Sequence, residues 1–196
     1  APVTVFLSGI IGSQFSPVKS LATLPMALSI VGIAIFAIFA AKVMSIIGRR
    51  AGFILASVVS SLSSLVAAYS IINESFFLFN FSCFLLGAGV AFSHQYRFAA
   101  VETVKKDMAP KAISIILLAG IGSAFIGPNV ANITKDIIAE HLYAGSYIAL
   151  AALTLTSTIF LLFYKEGHKP HRVNKIIVRS YLELISQPRF LQALVA

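Results

Sequence analysis

Five stretches of this chain contain no Asp, Glu, Lys or Arg and have almost the same length: residues 20–41, 51–73, 75–96, 112–134 and 141–164, each of 22 to 24 residues. A helix rises roughly 1.5 Å per residue, so every one of them is long enough to cross the ~30 Å hydrocarbon layer of a bilayer. Membrane strands need only about 9 to 11 residues and alternate polar with apolar side chains, which these runs do not. The expected fold class is therefore all-α, a polytopic bundle of transmembrane helices. Composition agrees: 58% of the residues are hydrophobic and 11% charged, against about 25% charged in soluble domains.

Residues 1–13 are apolar, uncharged and too short to span alone; they read as the outer end of a helix whose beginning is cut away. A cleavable signal peptide is the rival reading, but there is no basic stretch before the apolar residues and no soluble domain after them. With this partial span the chain makes six crossings, expected at about residues 1–13, 20–41, 51–73, 75–98, 112–134 and 141–164. Beyond them, residues 165–186 read as a basic cytoplasmic linker with an interfacial helix. Residues 187–196, with Pro188 in the first turn, read as the start of a seventh span.

The net charge of +8 could point to nucleic acid, but its distribution points to a bilayer. Of the 15 Lys and Arg, all but Lys19 and Lys135 fall after spans two, four and six. The positive-inside rule puts those loops in the cytoplasm. No nucleic-acid partner and no cofactor are expected. The lone Cys83, within an apolar run, reads as a small packing residue, and no metal cluster is expected. An enzyme is not expected either: the chain lacks H-E-x-x-H and G-x-S-x-G, and none of the five complete spans holds an Asp or Glu.

Three constellations stand out. Gly48, Arg49 and Arg50 form a turn between spans two and three, where Gly permits a reversal and the guanidiniums can hold headgroups or helix-end carbonyls. In span five, Gly120, Gly122, Ser123, Gly127 and Pro128 cluster; Ala119, Ser123, Gly127 and Ala131 recur every four residues and predict a smooth face for close helix approach. Pro128 frees a carbonyl and permits a bend. A dinucleotide loop is excluded here because no strand precedes the glycines. In span four, His94, Gln95, Tyr96 and Arg97 are consecutive and form one candidate site for solute binding or gating, with His94 and Arg97 three apart on one helical face. An Arg at mid-membrane costs at least ~3 kcal/mol and normally faces the bundle interior or water. Arg97 thus serves a solute or gate, links to another helix, or anchors at the interface. His94 is a solute or proton contact or a satisfied interior histidine, and Asn129 contacts solute or caps a broken turn. Five serines in span three, Ser57, Ser60, Ser61, Ser63 and Ser64, read as packing residues bonded back to carbonyls, with a polar pore lining as the lesser reading.

The turn resembles the end of the signature loop G-x-x-x-D-R-x-G-R-R of the major facilitator superfamily. Gly48, Arg49 and Arg50 match it, whereas Ala41, Ser45 and Ile46 stand where the family has Gly, Asp and Arg. The resemblance implies a charge cluster that latches the cytoplasmic side, and Glu102 is similar in place to the family's acidic partner for the arginines. Span five is similar to the family's glycine-rich, G-P-containing fifth helix. The segment from Leu86 to Ala100, together with Leu21 to Pro25 and Gly48 to Phe53, is similar to a bacterial group carrying Q-Y-R-F-A-A in this helix. The resemblance implies the amino-terminal half, with 3+3 inverted repeats, of a twelve-helix transporter in a bacterial inner membrane. It further implies alternating access for a small solute, with a carboxyl-terminal six-helix half of the same chain as partner; Arg97, if exposed at the central site, favours an anionic or strongly hydrogen-bonding solute. A half-size carrier or exporter acting as a homodimer is the alternative.

Overall fold

The structure is a computed structural model that describes residues 2–164. The linker expected at 165–186 and the further span expected from 187 lie outside the described residues. Seven helices follow in order: α1 (Pro2–Phe15), α2 (Leu24–Ile47), α3 (Arg49–Ile72), α4 (Phe76–Ser93), α5 (Tyr96–Thr103), α6 (Ala109–Thr134) and α7 (Ala144–Phe163). No strand occurs among the described residues. Five helical stretches are long and apolar enough to cross a membrane, with α4 and α5 together forming one of them. The fold is the all-α bundle of a multi-pass membrane protein.

Two boundaries differ most from those expected. Helix α2 runs past residue 41, through Lys42, to Ile47. Its stop is Gly48 rather than the first charge, because a lysine near a helix end can carry its ammonium to the interface on an apolar stem. The fourth span, expected over 75–98, is interrupted at His94 and Gln95 and resumes as α5 as far as Thr103. At the break the Gln95 amide bonds the Phe92 carbonyl, three residues back, which tightens the turn without ending the climb.

Small residues decide how closely the helices approach. At the crossing of α2 and α4, a Cβ on Gly32 would stand 2.3 Å from the Phe84 carbonyl oxygen, and one on Gly87 2.4 Å from that of Ser29. The two backbones are in contact, so neither glycine can carry a side chain without separating the helices. Helix α3 packs on both α4 and α7. It is joined to α7 by hydroxyls: Ser57 Oγ donates to the Thr154 carbonyl (2.7 Å) and lies 2.6 Å from Thr158 Oγ1, and Ser61 Oγ donates to the Ala151 carbonyl (3.1 Å). Ser63 and Ser64 bond back within α3, to Val59 and Ser60. The serine cluster is therefore a packing seam, with two members reaching across it.

The buried side chains form two clusters. One joins Leu7 and Ile11 of α1 to Ala67 and Ile71 of α3, Phe79 and Cys83 of α4, Ala131 of α6 and Tyr147 of α7. The other, at the end where Arg49 and Arg50 lie, joins Ala40 and Met44 of α2 to Phe53 and Ala56 of α3, Phe92 of α4 and Ala99 of α5. These are called the far end and the basic end below.

Candidate functional site

A single residue turns α2 into α3. Gly48 sits at φ 88°, ψ 162°, a region essentially closed to residues with a side chain. The turn leaves Arg49 and Arg50 in the first turn of α3, where the positive end of the helix dipole disfavours cations. Each has a specific acceptor that offsets this. Arg49 Nε and Nη2 donate to Glu102 Oε2 and Oε1 on α5, both at 2.5 Å, a two-pronged pairing that suits the planar guanidinium. Arg50 Nη2 donates to the Leu162 carbonyl in the last turn of α7, where the dipole welcomes a positive charge. The Arg49 side chain is 23% exposed and that of Glu102 42%, so the ion pair contributes about 0.2–1 kcal/mol rather than the energy of a buried pair. Its larger effect is positional: it ties the start of α3 to the end of α5.

One turn further along α3, Phe53 reinforces that tie. Its ring stacks on Tyr96 of α5, with centroids 4.4 Å apart and planes at 29°, and meets Tyr164 edge-on at 6.5 Å. Tyr96 is thereby turned inward, where with Phe53 it walls a cavity of about 410 Å³. His94 and Arg97 are exposed, and Gln95 is half-buried. The four consecutive residues grouped in the sequence thus divide, with His94 and Arg97 on the open side and Tyr96 in the packing. Among the described residues no carboxylate lies within ion-pair range of Arg97.

The span-five residues behave differently. Ser123 is exposed and its hydroxyl returns to the Gly120 carbonyl at 2.7 Å. Asn129 is exposed and donates its amide to the Phe125 carbonyl at 2.7 Å, leaving the side-chain oxygen available. Gly127 and Pro128 are half-buried, and α6 continues through Pro128 without interruption. Of the four-residue face from Ala119 to Ala131, only Ala131 is buried among the described residues. Nowhere among the described residues do three His, Cys, Asp or Glu side chains converge to hold a metal ion.

Two features differ from or go beyond the sequence expectation: the Phe53–Tyr96 stack, and the bonds of Ser57 and Ser61, which cross to α7 carbonyls instead of returning within α3. The seam had a signal, since Ser57 and Ser61 lie four apart and so share a face. The stack had none, because nothing in an apolar run marks which aromatic ring meets which.

The model of the Major Facilitator Superfamily matches residues 2–196. Over its whole length the chain is 30% identical to the riboflavin transporter RfnT of Brucella anthropi, of which it covers 50%. It is 27% identical, over 80% of its length, to the uncharacterized MFS-type transporter YdeG of Bacillus subtilis, of which it covers 37%. The chain thus spans about half the length, or less, of these relatives. No solved structure gives a significant match. With the family pattern running through every helix described above, the chain belongs to the major facilitator superfamily.

Proposed function

We propose that this chain is the amino-terminal six-helix bundle of a secondary active transporter, which moves a small solute across a bacterial inner membrane by alternating access. The family match over residues 2–196 carries this reading. In it, residues 165–186 tether a second six-helix bundle that starts near residue 187, and the two bundles rock about a central site. The turns holding Arg49, Arg50 and Lys111 face the cytoplasm, as the positive-inside rule requires. Gly48, Arg49, Arg50 and Glu102 then form a latch on that side, supported by the two-pronged pairing of Arg49 with Glu102.

Solute contacts belong to the open sides of the fourth and fifth spans. His94, Gln95 and Arg97 supply them from one, and Asn129 from the other, with Ser123, Gly127 and Pro128 letting the fifth span approach and bend. An exposed arginine within a span is tolerated where it meets water rather than lipid, so Arg97 supports a water-filled cavity on this side. Its five N–H donors suit an anion or a solute rich in oxygen acceptors. Riboflavin, named for one relative, has ring carbonyls and a hydroxylated side chain and is the first solute to try.

The test uses the full-length protein in proteoliposomes. Saturable riboflavin uptake with counterflow is expected, lost in Arg97→Ala at unchanged membrane expression. Flux that neither saturates nor shows counterflow would identify a channel, and unchanged transport by Arg97→Ala would remove Arg97 from the site.

A further inference from the structure

Helices α4 and α7 meet at the far end through aromatic rings. Tyr147 of α7 is wholly buried, and its ring meets Phe79 of α4 edge-on with centroids 5.8 Å apart. Its hydroxyl lies beside the thiol of Cys83, one turn further along α4, yet no hydrogen bond of proper geometry joins them, and among the described residues the hydroxyl has no partner. One residue after Phe79, Asn80 is only 5% exposed. Its amide donates to the Phe76 carbonyl at 2.7 Å, whereas its side-chain oxygen Oδ1 is buried without a donor. Asn80 and Cys83 are three apart and so are neighbours on the surface of α4, with Cβ atoms about 5–6 Å from each other.

The two unpartnered atoms complement each other, since a tyrosine hydroxyl can donate and an amide oxygen can only accept. Orphaned in an apolar surrounding, each carries its full desolvation penalty, and the bilayer offers no bulk water to lift it. We propose that Tyr147, Asn80 and Cys83 form the binding site of one internal water, which links α4 to α7 at the far end. The water accepts from Tyr147 Oη, donates one proton to Asn80 Oδ1 and turns the other toward Cys83 Sγ, a weak acceptor. Three polar partners are the usual complement of an internal water. The other hydroxyls of α7 that reach a neighbour reach α3 and α6: Thr158 lies against Ser57, and Ser146 Oγ donates to the Ala131 carbonyl at 2.6 Å. The water thus gives α7 a polar tie to a third helix. The site is independent of the transport reading, because His94, the nearer of the proposed solute contacts on this span, is eleven residues beyond Cys83, roughly 16 Å of helix.

Two variants of the full-length protein and one structure test it. Tyr147→Phe removes only the hydroxyl. With the water in place, this strands the Asn80 oxygen, and the thermal midpoint is expected to fall by at least about 2 °C. If the hydroxyl is an orphan, the same change removes a penalty, and the midpoint stays or rises. Asn80→Leu also loses the bond to Phe76 and lowers the midpoint in either case, so the double variant is compared with both singles. Its loss is expected to be smaller than their sum, because the second change removes a group that the first has already stranded. Tyr69→Phe, at a side chain 60% exposed, is the control and leaves the midpoint unchanged. A neutral or stabilising Tyr147→Phe whose effect adds to that of Asn80→Leu overturns the assignment. For variants that cannot be recovered, a structure of the unaltered protein at a resolution that shows ordered waters decides. Density within hydrogen-bond distance of both Tyr147 Oη and Asn80 Oδ1 is expected; no density there, or a direct bond between the two atoms, overturns the site.

Discussion

Helices α3 and α6 are close in length, 24 and 26 residues, and similarly apolar, yet half of the most apolar stretch of α3 is buried among the described residues and none of that of α6. Their hydroxyls show the difference. Ser57 and Ser61 of α3 reach carbonyls of α7, whereas Ser123 of α6 returns to a carbonyl of its own helix. An apolar surrounding offers a hydroxyl no water, so it takes the nearest acceptor. For Ser57 and Ser61 that acceptor belongs to the neighbouring helix and the bond stitches the two together, while Ser63 and Ser64, buried on the same helix, bond back to their own. The two helices thus teach that a serine in a span reports its surroundings only after the packing is known.

The contrast predicts a large difference between glycines in the packed and open regions. Gly87→Leu drives a side chain into the Ser29 backbone and is expected to abolish most of the monodisperse protein recovered by size exclusion in detergent. Gly120→Leu on α6, where a Cβ meets nothing within 4 Å, is expected to leave recovery unchanged; equal damage would show that this part of α6 is covered. Next in size is Gly48→Ala. Its backbone region costs a side chain about 1–3 kcal/mol, to be read as a lower unfolding midpoint, and a neutral result would mean that the turn relaxes. Ser57→Ala should cost about 0.6–1.7 kcal/mol, in line with hydrogen bonds between membrane helices, and Ser123→Ala less than ~0.5 kcal/mol because its bond is local. Matching costs would erase the distinction between α3 and α6. The smallest effect belongs to Arg49 and Glu102: a double-mutant cycle should give a coupling of about 0.2–1 kcal/mol that shrinks as salt rises. A coupling insensitive to salt would place the pair in a more enclosed setting than its exposure indicates.

Much of the fold is legible in the charge-free runs. A span bounded at its first charge ends before Lys42, but one charge with a long apolar stem does not stop a helix, and Gly48 does. Glu102 could be placed at the basic end from its position after a run. Which arginine it meets could not be read, because Arg49 and Arg50 differ only in direction around α3. Tyr96 shows the limit most plainly. It precedes Arg97 directly, and that adjacency put both in one candidate site. Successive residues of a helix point about 100° apart, so Tyr96 faces Phe53 while Arg97 faces outward.

The sequence alone determined the number of long helices, their approximate places in the chain and which ends are basic. A hydrocarbon layer excludes charge, and a helix satisfies its own backbone, so both properties follow from local composition. Tertiary structure decided which side of each helix is covered. A helix surrounded by lipid can be apolar all round, so no polar stripe marks its outside. Its buried side is selected by where small residues such as Gly32 and Gly87 let two backbones touch, and that contact exists only once both helices are in place.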